Sequence, residues 1–255
     1  MRTASIEVYA AAFVARCVVI RRPGRPVINE PGLRGLLPGS DDPRTRLLVT
    51  DDRACDVLAA LLPDARAGMI NVCAAAARCT ELLEADAAWT STTSTAMICR
   101  DLQAMPAVAL PGELTFRPVR RLSEDAPDGV PLEEAVAAAM LAQPAIGGPP
   151  DAFAGYLRSL PPAIRLFAAV DGNGAVRATS GSGAFGAFAT VIFVDTVPGW
   201  RGRGIGQAMT AAALRAAEDC GARQACLDAS DAGLSIYRRL GFEAVTRTTR
   251  FFRGA

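Results

Sequence analysis

Four glycines and two arginines fall between an apolar, β-branched run and an alanine-rich one. The stretch from Val194 to Thr210 reads Val-Asp-Thr-Val-Pro-Gly-Trp-Arg-Gly-Arg-Gly-Ile-Gly-Gln-Ala-Met-Thr, with Gly199, Gly202, Gly204, Gly206, Arg201 and Arg203 at its centre. A strand that feeds a glycine-rich turn and then a helix leaves backbone N–H groups unpaired at the helix's positive end. Such an end suits a phosphate. Glycine lets the backbone approach an anion and accepts positive φ. Arginine adds charge and fork-shaped donors. The chemistry implied is the holding of a pyrophosphate.

Two neighbouring patterns need separating from this one. Gly181-Ser-Gly-Ala-Phe-Gly186 fits G-x-G-x-x-G, but the residues after it, Ala187 to Thr196, are apolar and β-branched, so a strand follows where a dinucleotide site needs a helix. It is expected to be a loop between strands. Gly204-Ile-Gly-Gln lacks the Gly-Lys-Ser/Thr of a nucleoside-triphosphate loop. The chain has no histidine, which removes Ser-His-Asp and Cys-His catalysis and any His-based metal site.

The elements that must position the cradle follow from the pattern. Thr190–Thr196 is its lead-in strand and 204–220 its helix, the longest read from the sequence. Before them come a strand at 114–119, a helix opened by Pro131, a helix capped by Asp151, a strand at 166–170, a turn at Asp171-Gly-Asn-Gly and its partner strand at 175–180. After them come a strand at 224–228, a helix at 231–240 and a closing strand at 242–253. Pro106 to Gly112 reads as a linker. It divides an N-terminal α/β region, residues 1–108, from a second region, residues 112–255. In the first region Ile6, Tyr9, Ala10, Phe13, Val14 and Cys17 line one face of a helix over 5–20, and 21–45 reads as loop with one short strand. Mixed runs of strands and helices predict an α+β fold with a mixed sheet.

A repeat is visible. Residues 46–100 and 190–253 each read strand, helix, strand, helix, Thr-rich strand. Trp89 and Phe242 stand at matching places, as do Thr93 and Thr246, Thr95 and Thr248, Arg100 and Arg253. Where the second copy has its glycine loop the first has Asp51-Asp-Arg, so the first is expected to be partial and non-binding.

The 255 residues are half apolar and carry a net charge of +1, against a nucleic-acid or membrane-surface partner held by bulk charge. Seven cysteines, with no Cys-x-x-Cys pair, read as buried thiols of a reducing cytoplasm. The N-terminal residues lack the order of a secretory signal. Arg120-Arg121 and Arg238-Arg239 are expected at the solvated surface, and Trp200 either covers a ligand or packs on the helix.

The Val194–Gly206 stretch resembles the acetyl-CoA loop of the GNAT acetyltransferase superfamily. Leu227-Asp-Ala-Ser230, followed by 232–242 (Ala-Gly-Leu-Ser-Ile-Tyr-Arg-Arg-Leu-Gly-Phe), is similar to the family's closing signature, and Leu114-Thr-Phe-Arg-Pro-Val to its first strand. The resemblance covers roughly 112–255. It implies a mostly antiparallel GNAT-type sheet flanked by helices, with the N-terminal region a degenerate partial copy. It implies that backbone groups of Val194, Asp195 and Thr196 pair with the pantetheine arm of acetyl-CoA. The backbone N–H groups of Arg201, Gly202, Arg203, Gly204, Ile205 and Gly206 would hold its pyrophosphate. Ser230 stands where the family often has a cofactor-contacting Asn, and Tyr237 matches the tyrosine beside the thioester sulfur, a candidate general acid. The general base is open among Asp195, Glu133, Glu134, Asp151 and a water chain. The bland reading of the glutamates is a solvated helix start, and that of Asp151 is an N-cap. The activity implied is acetyl transfer to a small-molecule or peptide amine. A non-catalytic acyl-CoA-binding module and a CoA-free structural domain are the alternatives, and a homodimer is one arrangement left open. No metal is expected.

Overall fold

The computed structural model describes residues 2–20, 25–39, 44–121, 128–143 and 149–254. Contacts divide the chain into two units. One comprises 1–98, 228–234 and 243–255. The other comprises 99–227 and 235–242. The units therefore do not follow chain order at 108/112, because the last strand belongs with the first hundred residues.

The first unit opens with helix α1, Arg2–Ile20. Its buried side is Tyr9, Ala10, Ala12, Phe13 and Cys17, close to the expected face. Strands β1 (Val27–Glu30) and β2 (Leu33–Leu36) form a hairpin in the stretch read as loop with one short strand. Gly32 turns that hairpin at φ 78°, a signal easily lost among Pro and Arg residues. Then come β3 (Arg44–Val49), α2 (Cys55–Leu61), β4 (Ala67–Cys73), α3 (Ala77–Glu84) and β5 (Thr90–Cys99). Strand β3 runs parallel to β4 through six register pairs, Arg44↔Ala67 to Val49↔Val72. The C-terminal strand β12 (Glu243–Arg253) lies between β4 and β5 and is antiparallel to both. Its Thr248 opposes Ser94, and their hydroxyls are 2.8 Å apart. Leu33, Leu47, Val49, Leu58, Ile70, Leu83, Trp89 and Phe251 form the core. A second polar bond set is buried here: Tyr9 donates to Asp228 Oδ1 at 2.6 Å, and Arg250 Nη2 meets Asp228 Oδ2 at 2.6 Å.

The second unit runs β6 (Leu114–Arg120), β7 (Val130–Pro131), α4 (Leu132–Ala142), α5 (Pro150–Arg158), β8 (Ile164–Asp171), β9 (Val176–Phe185), β10 (Phe188–Thr196), α6 (Ile205–Glu218), β11 (Gln224–Ala229, crossing into the first unit at Asp228) and α7 (Leu234–Arg239). Its strand order is β11-β10-β9-β8-β6-β7, antiparallel from β10 to β6 and parallel at β10/β11 and β6/β7. Helix α6 packs on β9 and β10, with Ile205, Met209 and Ala213 against Leu114, Phe167, Ala169 and Ala178. The architecture is α+β with a mixed, mostly antiparallel sheet flanked by helices. The order β3-α2-β4-α3-β5 repeats β10-α6-β11-α7-β12, as the matched Trp and Thr positions indicate.

Several local expectations are corrected. Gly181–Phe185 is strand rather than loop, because β9 continues to Phe185. The glycines are there for closeness: a Cβ on Gly181 would meet Leu166 at 2.8 Å, and one on Gly183 would meet Ile164 at 2.5 Å. Asp151 is not the N-cap of α5. Pro149 holds that position, and Asp151 sits in the exposed first turn. Arg121 is buried and donates to the carbonyls of Leu160 (2.6 Å) and Pro161 (3.2 Å). Cys220 is exposed and Cys55 half-buried, while the other five thiols are buried. No helix among the described residues is long and apolar enough to cross a membrane.

Candidate active site

The site is built on the end of β10. Its first three residues, Phe188 to Thr190, pair with Gln224 to Cys226 of β11, and from Val191 onward β10 has no register partner on that strand. On its other edge the ladder to β9 shifts between Ile192 and Asp195. Phe193 lies inside the shift at φ 53°, in the left-handed region, an uncommon place for a bulky residue and a mark of a constrained site. The ring of Phe193 meets Phe153 and Tyr156 of α5 edge-on, with centroids 5.7 and 6.2 Å apart. The bulge and the separation from β11 leave Val194–Thr196 without a strand partner on the β11 side, although the Thr196 carbonyl accepts from Arg201, and an extended ligand can pair with such an edge like an added strand.

The turn after β10 leads into α6. A 3-10 turn at Pro198–Trp200 is followed by Gly202 at φ 77° and Gly204 at φ 76°, and Gly204 is the N-cap of α6. No side chain caps this end. The first amides of α6 therefore point outward without helical partners. A Cβ added to Gly202 or Gly204 would meet nothing within 4 Å, so space is open where an anion would lie. Gly206 faces inward, where a Cβ would stand 3.7 Å from Ile236, 3.8 Å from Thr196 Oγ1 and 3.9 Å from Val194. Ile205 is buried and anchors the helix start in the core. This cradle fits a pyrophosphate by backbone donors and helix field.

The two arginines are used differently from the sequence expectation of charged forks aimed at phosphate. Arg203 pairs with Glu113 and lies over Trp200, 4.6 Å from its centroid. Arg177 also lies over that ring, at 5.2 Å. Trp200 therefore packs against the core with two guanidiniums at its ring rather than standing free as a cover. Arg201 turns back under the loop: Nε donates to the Thr196 carbonyl at 3.0 Å and Nη2 to the Ala142 carbonyl at 2.6 Å.

Asp195 and Tyr237 come together within this unit. Asp195 is buried, 6% exposed, and desolvation pushes its carboxyl up to about 6 against the opposing pull of Arg201 and a hydrogen bond from Gln143. Burial pushes the Tyr237 phenol up to about 12, and the Asp195 charge adds to the rise. The backbone that carries Tyr237 is held by the closure of α7. Phe242 N–H donates to the Tyr237 backbone carbonyl and Gly241 N–H to the Arg238 carbonyl, both at 3.0 Å, and Gly241 takes φ 87°. This is a helix closure that needs glycine. The Phe242 ring meets Tyr237 with centroids 5.9 Å apart.

The remaining candidates make other contacts. Glu133 pairs with Arg158, and Glu134 is an exposed first-turn residue. Ser230 is exposed and belongs by contacts to the first unit, where its carbonyl caps the turn into α7 at Gly233 N–H (2.9 Å). Gln143 and Phe193 carry no signal in the sequence. One follows an alanine-rich helix, and the other hides in an apolar run.

The same features in the first unit are closed. Its parallel pair β3/β4 stays zipped, and Asp51 fills the cap position ahead of α2, accepting from Arg53 N–H at 3.1 Å. A bond to the Arg53 side chain holds Asp51 down to about 2. The 3-10 turn that leads into α2 thus carries a carboxylate at its start, where α6 has only glycine.

Residues 162–244 match the family model for the Acetyltransferase (GNAT) domain. The chain has the GNAT-superfamily fold. A GCN5-related N-acetyltransferase from Kribbella flavida superposes with a TM-score of 0.62 at 22% identity, covering 96% of each chain. A GCN5-related N-acetyltransferase from Sphaerobacter thermophilus gives 0.57 at 17% identity, over 90% of this chain and 75% of that one. A tandem GNAT protein from the clavulanic acid biosynthesis pathway gives 0.53 at 15% identity, over 98% and 94%. No curated protein matches the chain. The GNAT domain supports an acyltransferase-type function, and the tandem relative agrees with the N-terminal partial copy.

Proposed function

We propose that the protein transfers an acetyl group from acetyl-CoA to a primary amine by direct attack, with Asp195 as base and Tyr237 as acid. The observation that carries this reading is the convergence, at the end of β10, of an uncapped helix start, a strand edge with no β11 partner, the buried Asp195 carboxyl and the half-buried Tyr237 phenol. The backbone amides from Gly202 to Gly206 would hold the pyrophosphate, the Arg201 N–H being engaged by the Pro198 carbonyl at 3.2 Å, and the edge of Val194–Thr196 would hold the pantetheine arm. When bound, acetyl-CoA supplies an activated carbonyl with a thiolate leaving group.

The chain's own groups then move protons. The Asp195 carboxylate, ionised above about 6, accepts a proton from the amine nitrogen. Strand N–H groups beside it stabilise negative charge on the carbonyl oxygen. Tyr237 O–H gives its proton to the departing sulfur. The two steps support each other. The ionised Asp195 is one cause of the raised phenol value, so protonating Asp195 makes Tyr237 a stronger acid when that is needed.

The acceptor is a small-molecule or peptide amine. The test is release of free thiol from acetyl-CoA over amines of different classes: aminoglycosides, polyamines, amino acids and peptide N-termini. Thiol release that saturates with one class supports the reading. No release with any class, while CoA still raises Tm, would instead make the protein a non-catalytic acyl-CoA-binding module.

A further inference from the structure

The first arginine of the glycine loop is bound into a closed ring of contacts. Arg201 Nε holds the Thr196 carbonyl and Nη2 the Ala142 carbonyl, one of the last-turn acceptors that α4 leaves unpaired. Gln143, the next residue after Ala142, bonds the Asp195 carboxylate, and Asp195 precedes Thr196. The ring therefore runs Arg201, Ala142, Gln143, Asp195, Thr196 and back to Arg201. Two side-chain donors from one guanidinium fix both backbone segments that aim the carboxylate. A cation at the C-terminal end of α4 is also favourable there.

We propose that Arg201 is a positioning residue for Asp195, setting the orientation and ionisation of the base through the Ala142–Gln143 and Thr196 segments, and not a phosphate ligand. This rests on the acyltransferase reading for its function, though not for its geometry. The charged or titratable groups acting on Asp195 among the described residues are Arg201 from the loop and the Tyr237 phenol from α7. Gln143 at the end of α4 is neutral. Removing the guanidinium takes away the one positive charge of this set and frees Gln143 to drift. Both changes make ionised Asp195 harder to hold.

The test compares full-length R201Q and R201K with wild type. The Asp195 carboxyl is followed by NMR on aspartate-labelled protein, assigned by its loss in D195N, and coenzyme A binding is followed by calorimetry. In R201Q the carboxyl midpoint moves upward by at least half a pH unit, about a threefold change in the dissociation constant. CoA affinity stays within about threefold of wild type, because the backbone amides remain. R201K keeps the charge but not the two-pronged grip. Its midpoint returns toward wild type, while kcat falls with KM for acetyl-CoA little changed. R201K alone carries the test if R201Q does not fold. An unmoved midpoint in R201Q, or a CoA affinity lowered about tenfold or more in either variant, overturns the proposal. If wild type releases no thiol with any amine, the acyltransferase reading fails, and the NMR and calorimetry still decide the role of Arg201.

Discussion

Asp195→Asn separates the chemistry of the site from its cost. The ordinary value for the carboxyl is 3.8, and burial raises it to about 6 in the folded chain. The folded state therefore binds this proton more tightly than the unfolded state does. The stability it contributes is fully present below 3.8 and is lost as pH rises through about 6. The full span is worth about 3 kcal/mol, of which about 2 kcal/mol falls between pH 4.5 and 7.5. Asparagine has no such proton and keeps a side-chain amide for Gln143. The D195N variant is thus expected to gain on wild type by about 2 kcal/mol as pH rises from 4.5 to 7.5, a relative gain of several degrees in Tm at roughly 2–4 °C per kcal/mol. Thermal unfolding of both proteins at those two pH values measures it. Thiol release at neutral pH should fall by about 100-fold or more, the usual scale for losing a positioned base. Wild-type kcat/KM should rise through about pH 6. A Tm difference that does not widen with pH would refute the buried, neutral-leaning carboxylate. Undiminished thiol release in D195N would refute its role as base.

Three further outcomes test other parts of the structure. Tyr237→Phe should keep CoA binding by calorimetry and lower turnover, and unchanged turnover would remove Tyr237 as the acid. Its phenol, raised to about 12, predicts no alkaline loss of activity from this group below that value. Gly204→Ala forces a side chain to φ 76° at a strain of about 1–2 kcal/mol and puts a methyl into the cradle, so CoA affinity should fall more than stability does. In the first unit, Tyr9→Phe leaves Asp228 without its 2.6 Å phenol donor and should cost about 1.5–3 kcal/mol in chemical denaturation.

The zipped β3/β4 pair and the carboxylate-capped 3-10 turn ahead of α2 set the first unit apart from the second. The second unit keeps its parallel pair open beyond Thr190 and its helix start uncapped. The first has closed both with its own groups. The repeat is thus retained in backbone order, while the open end of the parallel pair and the glycine turn ahead of the helix are present in one copy. The C-terminal strand β12 adds a further asymmetry by completing the sheet of the first unit rather than that of the unit carrying the site.

What the sequence alone determined are the properties that depend on neighbours in the chain. Gly202 and Gly204 announce positive φ, Pro198 ends a strand, and the alanine-rich run after Gly206 propagates a helix. Together they specify an open, glycine-lined helix start wherever the rest of the fold puts it. The strand–helix rhythm of 46–100 and 190–253 was legible for the same reason. Tertiary structure alone decided what depends on distant partners. Strand β12 finds its neighbours at β4 and β5, whose partner residues stand 145 (Glu243↔Ile98) to 185 (Arg253↔Gly68) positions away, because sheet pairing answers to packing and register rather than local preference. The burial that raises Asp195 comes from surrounding elements, not from residues beside it in sequence. Arg201 looked like a phosphate fork because its type and spacing suit one. Its side chain instead reaches the unpaired carbonyl that α4, 59 residues earlier in the chain, presents at its end.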